Sequence, residues 1–293
     1  MSRLFAYLGN DSDRVACALH PARKMLVTPM EAGGDAGGAS PIIDSWGIGF
    51  YQGGEVLLQR RPKAPTEAVD FYAVARELRT DAIIGHVRAG TVGKPKNENT
   101  HPFRFRSWLF AHHGTLPDFA RIQAELLASV PDFLRRNIRG QTDSEHLFHL
   151  FLSHLHEAGK LDDPDISTTT VRSALRASLA QVAALAGQEA ADRAECALAV
   201  TNGRVLVSTR HGRPVHLMRV RTLPDCAVCR ELQPAPGRAP RRVDHEHLRS
   251  VLIVADAPAP PPTVPALPGW EEIPDRSFVA VEHDLRVEIT PIY

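Results

Sequence analysis

Ser2-Arg3-Leu4-Phe5-Ala6-Tyr7-Leu8 opens the chain. The apolar run Leu4 to Leu8 stops at Gly9-Asn10-Asp11, which reads as a turn. Five consecutive apolar residues bounded by turn formers predict a strand buried on both faces. Termini normally fray, so a core strand that starts this early is unusual. It places Ser2 against a core strand. If Met1 is removed, Ser2 presents a hydroxyl and its own α-amine, which can act as nucleophile and base. The amine's ordinary pKa of about 7.7–8.0 suits that task. A small second residue is also common in any protein, and a retained Met1 would block the amine.

Outward from this strand, the reading alternates strands and helices unevenly. Trp46 to Tyr51, Gln52-Gly53-Gly54 and Val56 to Gln59 predict a hairpin, and so do Cys196 to Val200, Asn202-Gly203 and Val205 to Thr209. Ala82 to Val87, Trp108 to Ala111, Val251 to Ala255 and Phe278 to Val281 read as further strands. Helices are expected over 66–79, 117–136 and 169–186, and after Thr142. Thr142-Asp143-Ser144-Glu145 has the form of a capping box, with reciprocal bonds between Thr142 and Glu145. Residues 31–40 (EAGGDAGGAS) read as a mobile loop and 257–268 as a Pro-rich connection. Strands clustered at both ends, with long helices between them, give an α+β layered domain.

Composition bounds the function. The chain has 293 residues, with 34 Lys+Arg against 34 Asp+Glu, 43% hydrophobic and 6% aromatic residues. That is ordinary globular usage, and zero net charge argues against a general nucleic-acid binder. No apolar run approaches the ~20 residues of a membrane helix, and no basic start precedes an apolar signal segment. Four Cys in a chain this long are not a disulfide framework. A reducing, cytoplasmic location is expected.

Further sites are weak singly. Arg88 ends the strand His86-Val87-Arg88 and could grip a carboxylate bidentately, or turn outward. His112-His113-Gly114 ends another strand, where the Gly114 N–H and a neighbouring side chain could form an oxyanion hole. The His pair also invites a metal reading, but adjacent His on a strand point to opposite faces, so one such site should not use both. Asp143 opens a helix and gains from its dipole; it could also receive an ammonium group. The polar loop Asn97 to Phe103 suggests a function without naming one.

Their order is informative. Ser2 to Tyr7, Asp44 to Tyr51, His86-Val87-Arg88, Glu98 to Phe103, Ala111 to Leu116 and Thr142 to Glu145 run collinearly, and together the sequence resembles the class II glutamine amidotransferases. These belong to the N-terminal nucleophile hydrolases, and the likeness is to their compact, stand-alone type. The resemblance implies one domain over 2–293, a four-layer αββα sandwich of two antiparallel sheets flanked by helices. It implies hydrolysis of the side-chain amide of glutamine or a γ-glutamyl compound through an acyl-enzyme. The family's nucleophilic Cys matches Ser2; its carboxylate-binding Arg and ammonium-binding Asp match Arg88 and Asp143. Its oxyanion Asn and Gly match His113 and Gly114. Ser for Cys is a weaker nucleophile at neutral pH, and His for Asn removes an amide donor. The alternative is therefore an inactive amidotransferase-like binding or regulatory protein. Neither a membrane nor a nucleic-acid partner is expected; a separate ammonia-accepting enzyme or a homodimer is left open.

Residues 222–247 read as a Cys-, Pro- and Arg-rich insertion. Cys226, Cys229, His245 and His247 offer two thiolates and two imidazoles, a set adequate for zinc. The HxH spacing is shorter than the usual three to five residues, and a reduced or redox-labile pair is the alternative.

Overall fold

The computed structural model describes residues 2–28, 43–63, 67–90, 92–232, 242–255 and 269–293. The expected loop at 31–40 and the Pro-rich connection at 257–268 lie outside them.

Two antiparallel sheets carry the fold. The first runs β13 (Trp270–Glu272), β11 (Val215–Val220), β12 (Ser250–Ala255), β1 (Arg3–Gly9), β6 (Ala82–Ala89), β3 (Ile43–Gln52) and β4 (Glu55–Arg61). The second runs β15 (Val287–Pro291), β14 (Ser277–Val281), β10 (Leu206–His211), β9 (Cys196–Thr201), β8 (Trp108–Gly114) and β7 (Phe103–Phe105). A small ladder pairs β2 (Val27–Thr28) with β5 (Val69–Asp70). Strand β1 is central and lies between β12 and β6.

The alternation along β1 builds the layers. Leu4, Ala6 and Leu8 pack between the sheets with Leu109, Ala111 and Leu206. Phe5 and Tyr7 face outward onto α1 (Val15–Leu19), the 3-10 turn His20–Leu26 and α2 (Phe71–Ala75). The outer face of the second sheet is covered by α3 (Phe119–Ala128), α4 (Asp132–Arg135), α5 (Asp143–Glu157) and α6 (Thr168–Ala186). This is the four-layer αββα sandwich. The short α7 (Gln188–Arg193) follows α6, and α8 (Ala227–Glu231) lies in the insertion.

Aromatic packing sets α5 on β8. Trp108 meets Phe151 with ring centroids 5.5 Å apart, and Phe110 stacks on Phe148 at 5.2 Å. Going on, four helical residues advance about 6 Å and two strand residues about 6.6 Å. The next pair should be Ser144 with His112, and Ser144 Oγ lies 3.0 Å from His112 Nδ1. The start of α5 is thereby carried to the end of β8.

Both expected hairpins form. Gly53 and Gly54 both have positive φ (61° and 82°), the type I′ requirement. Three local expectations change. The helix expected over 66–79 is the strand Val69–Asp70 followed by α2, whose N-cap Asp70 accepts from the Ala73 N–H at 3.0 Å. A distant partner, β2, decides that segment. The helix expected over 117–136 breaks into α3 and α4 at Pro131, which lacks an N–H and disfavours helix in the residue before it. The capping box is half formed. Thr142 Oγ1 accepts from the Glu145 N–H at 3.3 Å, but the Glu145 carboxylate turns to the N–H groups of Arg139 (2.9 Å) and Gly140 (2.6 Å).

Candidate active site

Ser2 precedes β1 by one residue, and the pairing of Arg3 with Val87 sets it beside Ala89. The Ala89 N–H donates to Ser2 Oγ at 2.8 Å, and Ser2 Oγ lies 3.4 Å from the Ala89 carbonyl as donor. Arg88 ends β6 and is buried. Its Nη1 donates to Asp44 Oδ2 at 2.6 Å; its Nη2 donates to the carbonyls of Val92 and, at 2.9 Å, Gly93. Arginine has five N–H donors, so these three bonds leave two among the described residues. The guanidinium is thus held by Asp44 before any ligand arrives.

Asp143, buried at the start of α5, is fixed by backbone donors. Its Oδ2 accepts from the Leu116 N–H at 2.7 Å and its Oδ1 from the Ser144 N–H at 2.9 Å. The loop before α5 is held in turn by Glu145 and by Asn99, whose Oδ1 accepts from the Gln141 N–H at 2.8 Å. Gly114 ends β8 at φ 152°, where an added Cβ would come within 2.2 Å of the Glu195 carbonyl. Only glycine turns the chain there without strain.

One small cleft brings Ser2, Arg88, His113, Gly114 and Asp143 together, with Ala89, Val92, Thr142 and Ser144 on its walls. His112 and His113 do point to opposite faces, toward Ser144 on α5 and toward His86 respectively. The cleft lies over the strand end, so both line it. His86 and His101 complete the wall, with ring centroids 4.3 Å apart. Asp44, His86 and His101 lie inside the collinear segments but carry no assigned role in the sequence reading. A buried Arg needs a counter-charge, and that need is the signal that could have picked out Asp44.

Electrostatically the histidines behave alike. Burial, then the neighbouring His113, holds His86 well below the ordinary imidazole range, and burial, then His86, does so for His101. Burial, then Arg213, pushes His113 down to about 3. Burial also lowers His112, against the pull of Asp143. These imidazoles are neutral at pH 7, each offering one N–H.

The zinc candidates separate. Cys226, Cys229 and His245 converge, but with Cys17 as their fourth member. His247 is exposed, and its carbonyl accepts from Asn10 Nδ2 at 2.8 Å. It leaves the set because His245 is held in the bridge to Leu223 while His247 lies in the turn that follows.

Residues 26–227 match the family profile described as "Glutamine amidotransferases class-II". The chain belongs to this family. Among class-II glutamine amidotransferases and their kin, it is 30% identical over 182 residues to the probable glutamine amidotransferase DUG3 of Saccharomyces cerevisiae, covering 57% of this chain and 51% of that one. Over 74 residues it is 38% identical to the gamma-glutamyl-hercynylcysteine sulfoxide hydrolase of Mycobacterium tuberculosis, covering 25% of this chain and 32% of that one. The chain spans about half or less of the length of the first curated relatives it matches. A crystal structure of a predicted glutamine amidotransferase from Pseudomonas aeruginosa superposes with a TM-score of 0.56 at 20% identity, covering 97% of this chain and 98% of that one. That likeness shows the fold. No helix among the described residues is long and apolar enough to cross a membrane.

Proposed function

We propose that the chain hydrolyses the side-chain amide of glutamine or of a γ-glutamyl compound, with Ser2 as nucleophile. The supporting observation is the meeting of Ser2, Arg88, His113, Gly114 and Asp143 in one cleft, from four separate segments. In this reading, removal of Met1 frees the Ser2 α-amine. The amine takes the Oγ proton as Oγ attacks the amide carbon. The tetrahedral oxyanion sits toward the Gly114 N–H and the neutral His113 imidazole. The C–N bond then breaks, and ammonia leaves with the proton. Water hydrolyses the Ser2 ester, giving glutamate and restoring the hydroxyl. Arg88 and Asp143 receive the α-carboxylate and α-ammonium of the substrate. The same reading takes residues 2–293 as one domain, because β12 from the last quarter of the chain lies beside β1.

A second reading, a pocket that binds without turnover, has one observation in its favour. Ser2 Oγ is already engaged by both the N–H and the carbonyl of Ala89. Incubation with L-glutamine and with γ-glutamyl dipeptides, followed by glutamate detection and calorimetric titration, separates the two. Glutamate formation supports hydrolysis. Binding without product supports the second reading, and neither binding nor product sinks both.

A further inference from the structure

A second group of reactive side chains lies away from the cleft, on the helix-covered outer face of the first sheet. Cys17 comes from α1, Cys226 and Cys229 from the start of α8 and its body, and His245 from the return strand of the insertion. Their ligand atoms all lie within 4.8 Å of one another. We propose that Cys17, Cys226, Cys229 and His245 form a four-coordinate structural zinc site that fastens the 222–247 insertion to α1. The inference stands independently of the reaction proposed above.

The spacing suits a tetrahedral ion. Zn–S near 2.3 Å and Zn–N near 2.05 Å imply S···S of about 3.8 Å and S···N of about 3.6 Å around the metal. Cys17 Sγ lies 3.6 Å from Cys229 Sγ, and Cys229 Sγ lies 3.3 Å from His245 Nε2. All four Cys of the chain are free thiols, so this spacing is not that of a disulfide, whose sulfurs sit about 2.05 Å apart. Four protein ligands leave no open position, which makes the site structural rather than catalytic.

The surroundings fit the charge and the orientation. Three thiolates, a neutral imidazole and Zn²⁺ sum to one negative charge. Arg14 Nη1 lies 3.6 Å from Cys229 Sγ and compensates it. The His245 backbone is held by two hydrogen bonds to Leu223, at 2.9 and 3.1 Å, and the Cys226 N–H donates to the Val243 carbonyl at 2.7 Å. The backbone therefore presents the ligands before the metal binds. Cys17 and Cys226 are buried, so the set is closed off from solvent on that side. Cys17 lies 212 residues from Cys229 in sequence, which is why spacing alone could not nominate it.

The test uses the full chain, purified under reducing conditions without added zinc or chelator. Metal analysis should find about one zinc per chain, as expected of one four-ligand site. Cys17→Ser and His245→Ala should lose nearly all of it, and His247→Ala should keep it. Exchange of the wild type into cobalt(II) should give the visible absorption of a tetrahedral thiolate complex, a readout that does not depend on whether the variants fold. A folded wild type that carries no zinc and takes up no cobalt overturns the proposal. So does an intact mass short of two hydrogens that maps to a disulfide among these cysteines.

Discussion

Replacing Arg88 by Ala removes more than a ligand-binding group. The Arg88 side chain is 6% exposed and that of Asp44 is 21% exposed, with 2.6 Å between the paired atoms. Removing one partner of a buried pair costs about 3–5 kcal/mol, because a charge is left without compensation. The partial exposure of Asp44 argues for the low end, so the expected loss in unfolding free energy is about 3 kcal/mol. The orphaned carbonyls belong to half-buried Val92 and exposed Gly93 and can be hydrated, which adds little. A loss of this size leaves most single domains folded at room temperature, given total stabilities of about 5–15 kcal/mol. Equilibrium urea unfolding followed by circular dichroism measures it. Asp44→Asn combined with Arg88→Ala should recover at least about 1 kcal/mol, since the stranded carboxylate is then gone. Glutamine affinity, measured on folded protein, should fall by about 1.5–3 kcal/mol if Arg88 also holds the substrate carboxylate. A stability loss in Arg88→Ala below about 1 kcal/mol, or no recovery in the double variant, would refute the view that Asp44 pre-positions Arg88.

Two further outcomes follow from the same cleft. Gly114→Ala forces a side chain onto φ 152° and against the Glu195 carbonyl. It should cost about 1–3 kcal/mol from the backbone conformation alone, and an unchanged thermal midpoint would contradict this. The lowered pKa values of His86, His101, His112 and His113 also fix a pH dependence. Below about 6.5 the unfolded chain binds protons that the folded chain refuses, so stability falls as pH drops from there toward the folded value, about 3 for His113. Each such histidine contributes a slope of up to about 1.4 kcal/mol per pH unit in that window. The melting temperature should therefore drop between pH 7.5 and 5.5, and a flat profile over that range would count against burial of neutral histidines.

The parts of the fold legible in the sequence are those decided locally. The uninterrupted apolar run in β1 marks a strand buried on both faces, and Gly53-Gly54 and Asn202-Gly203 mark their turns. Segment 66–79 was not legible, since its strand residues depend on pairing with Val27 and Thr28, more than forty positions away. Pro131 is the visible break within 117–136, where one helix gives way to two. In the candidate site, Arg88 and Asp143 are recognisable as strand-end and helix-start residues. Asp44 and His101 are not, because their place follows from strand register and loop return rather than from spacing. The same holds for Cys17, which completes a set that the sequence closes with His247.

Ammonia release from glutamine, measured together with intact mass, tests the central claim most directly. The account predicts that the fraction of wild type lacking Met1 turns over slowly and that Ser2→Ala falls to background. Ser2→Cys should be faster than wild type, because a thiol supplies far more of its reactive anion near neutral pH. Adding His113→Asn to Ser2→Cys should raise the rate again, by up to about 10²-fold, the usual worth of one oxyanion donor. Ser2→Ala protein that releases ammonia at the wild-type rate would contradict the account, because the nucleophile would then lie elsewhere.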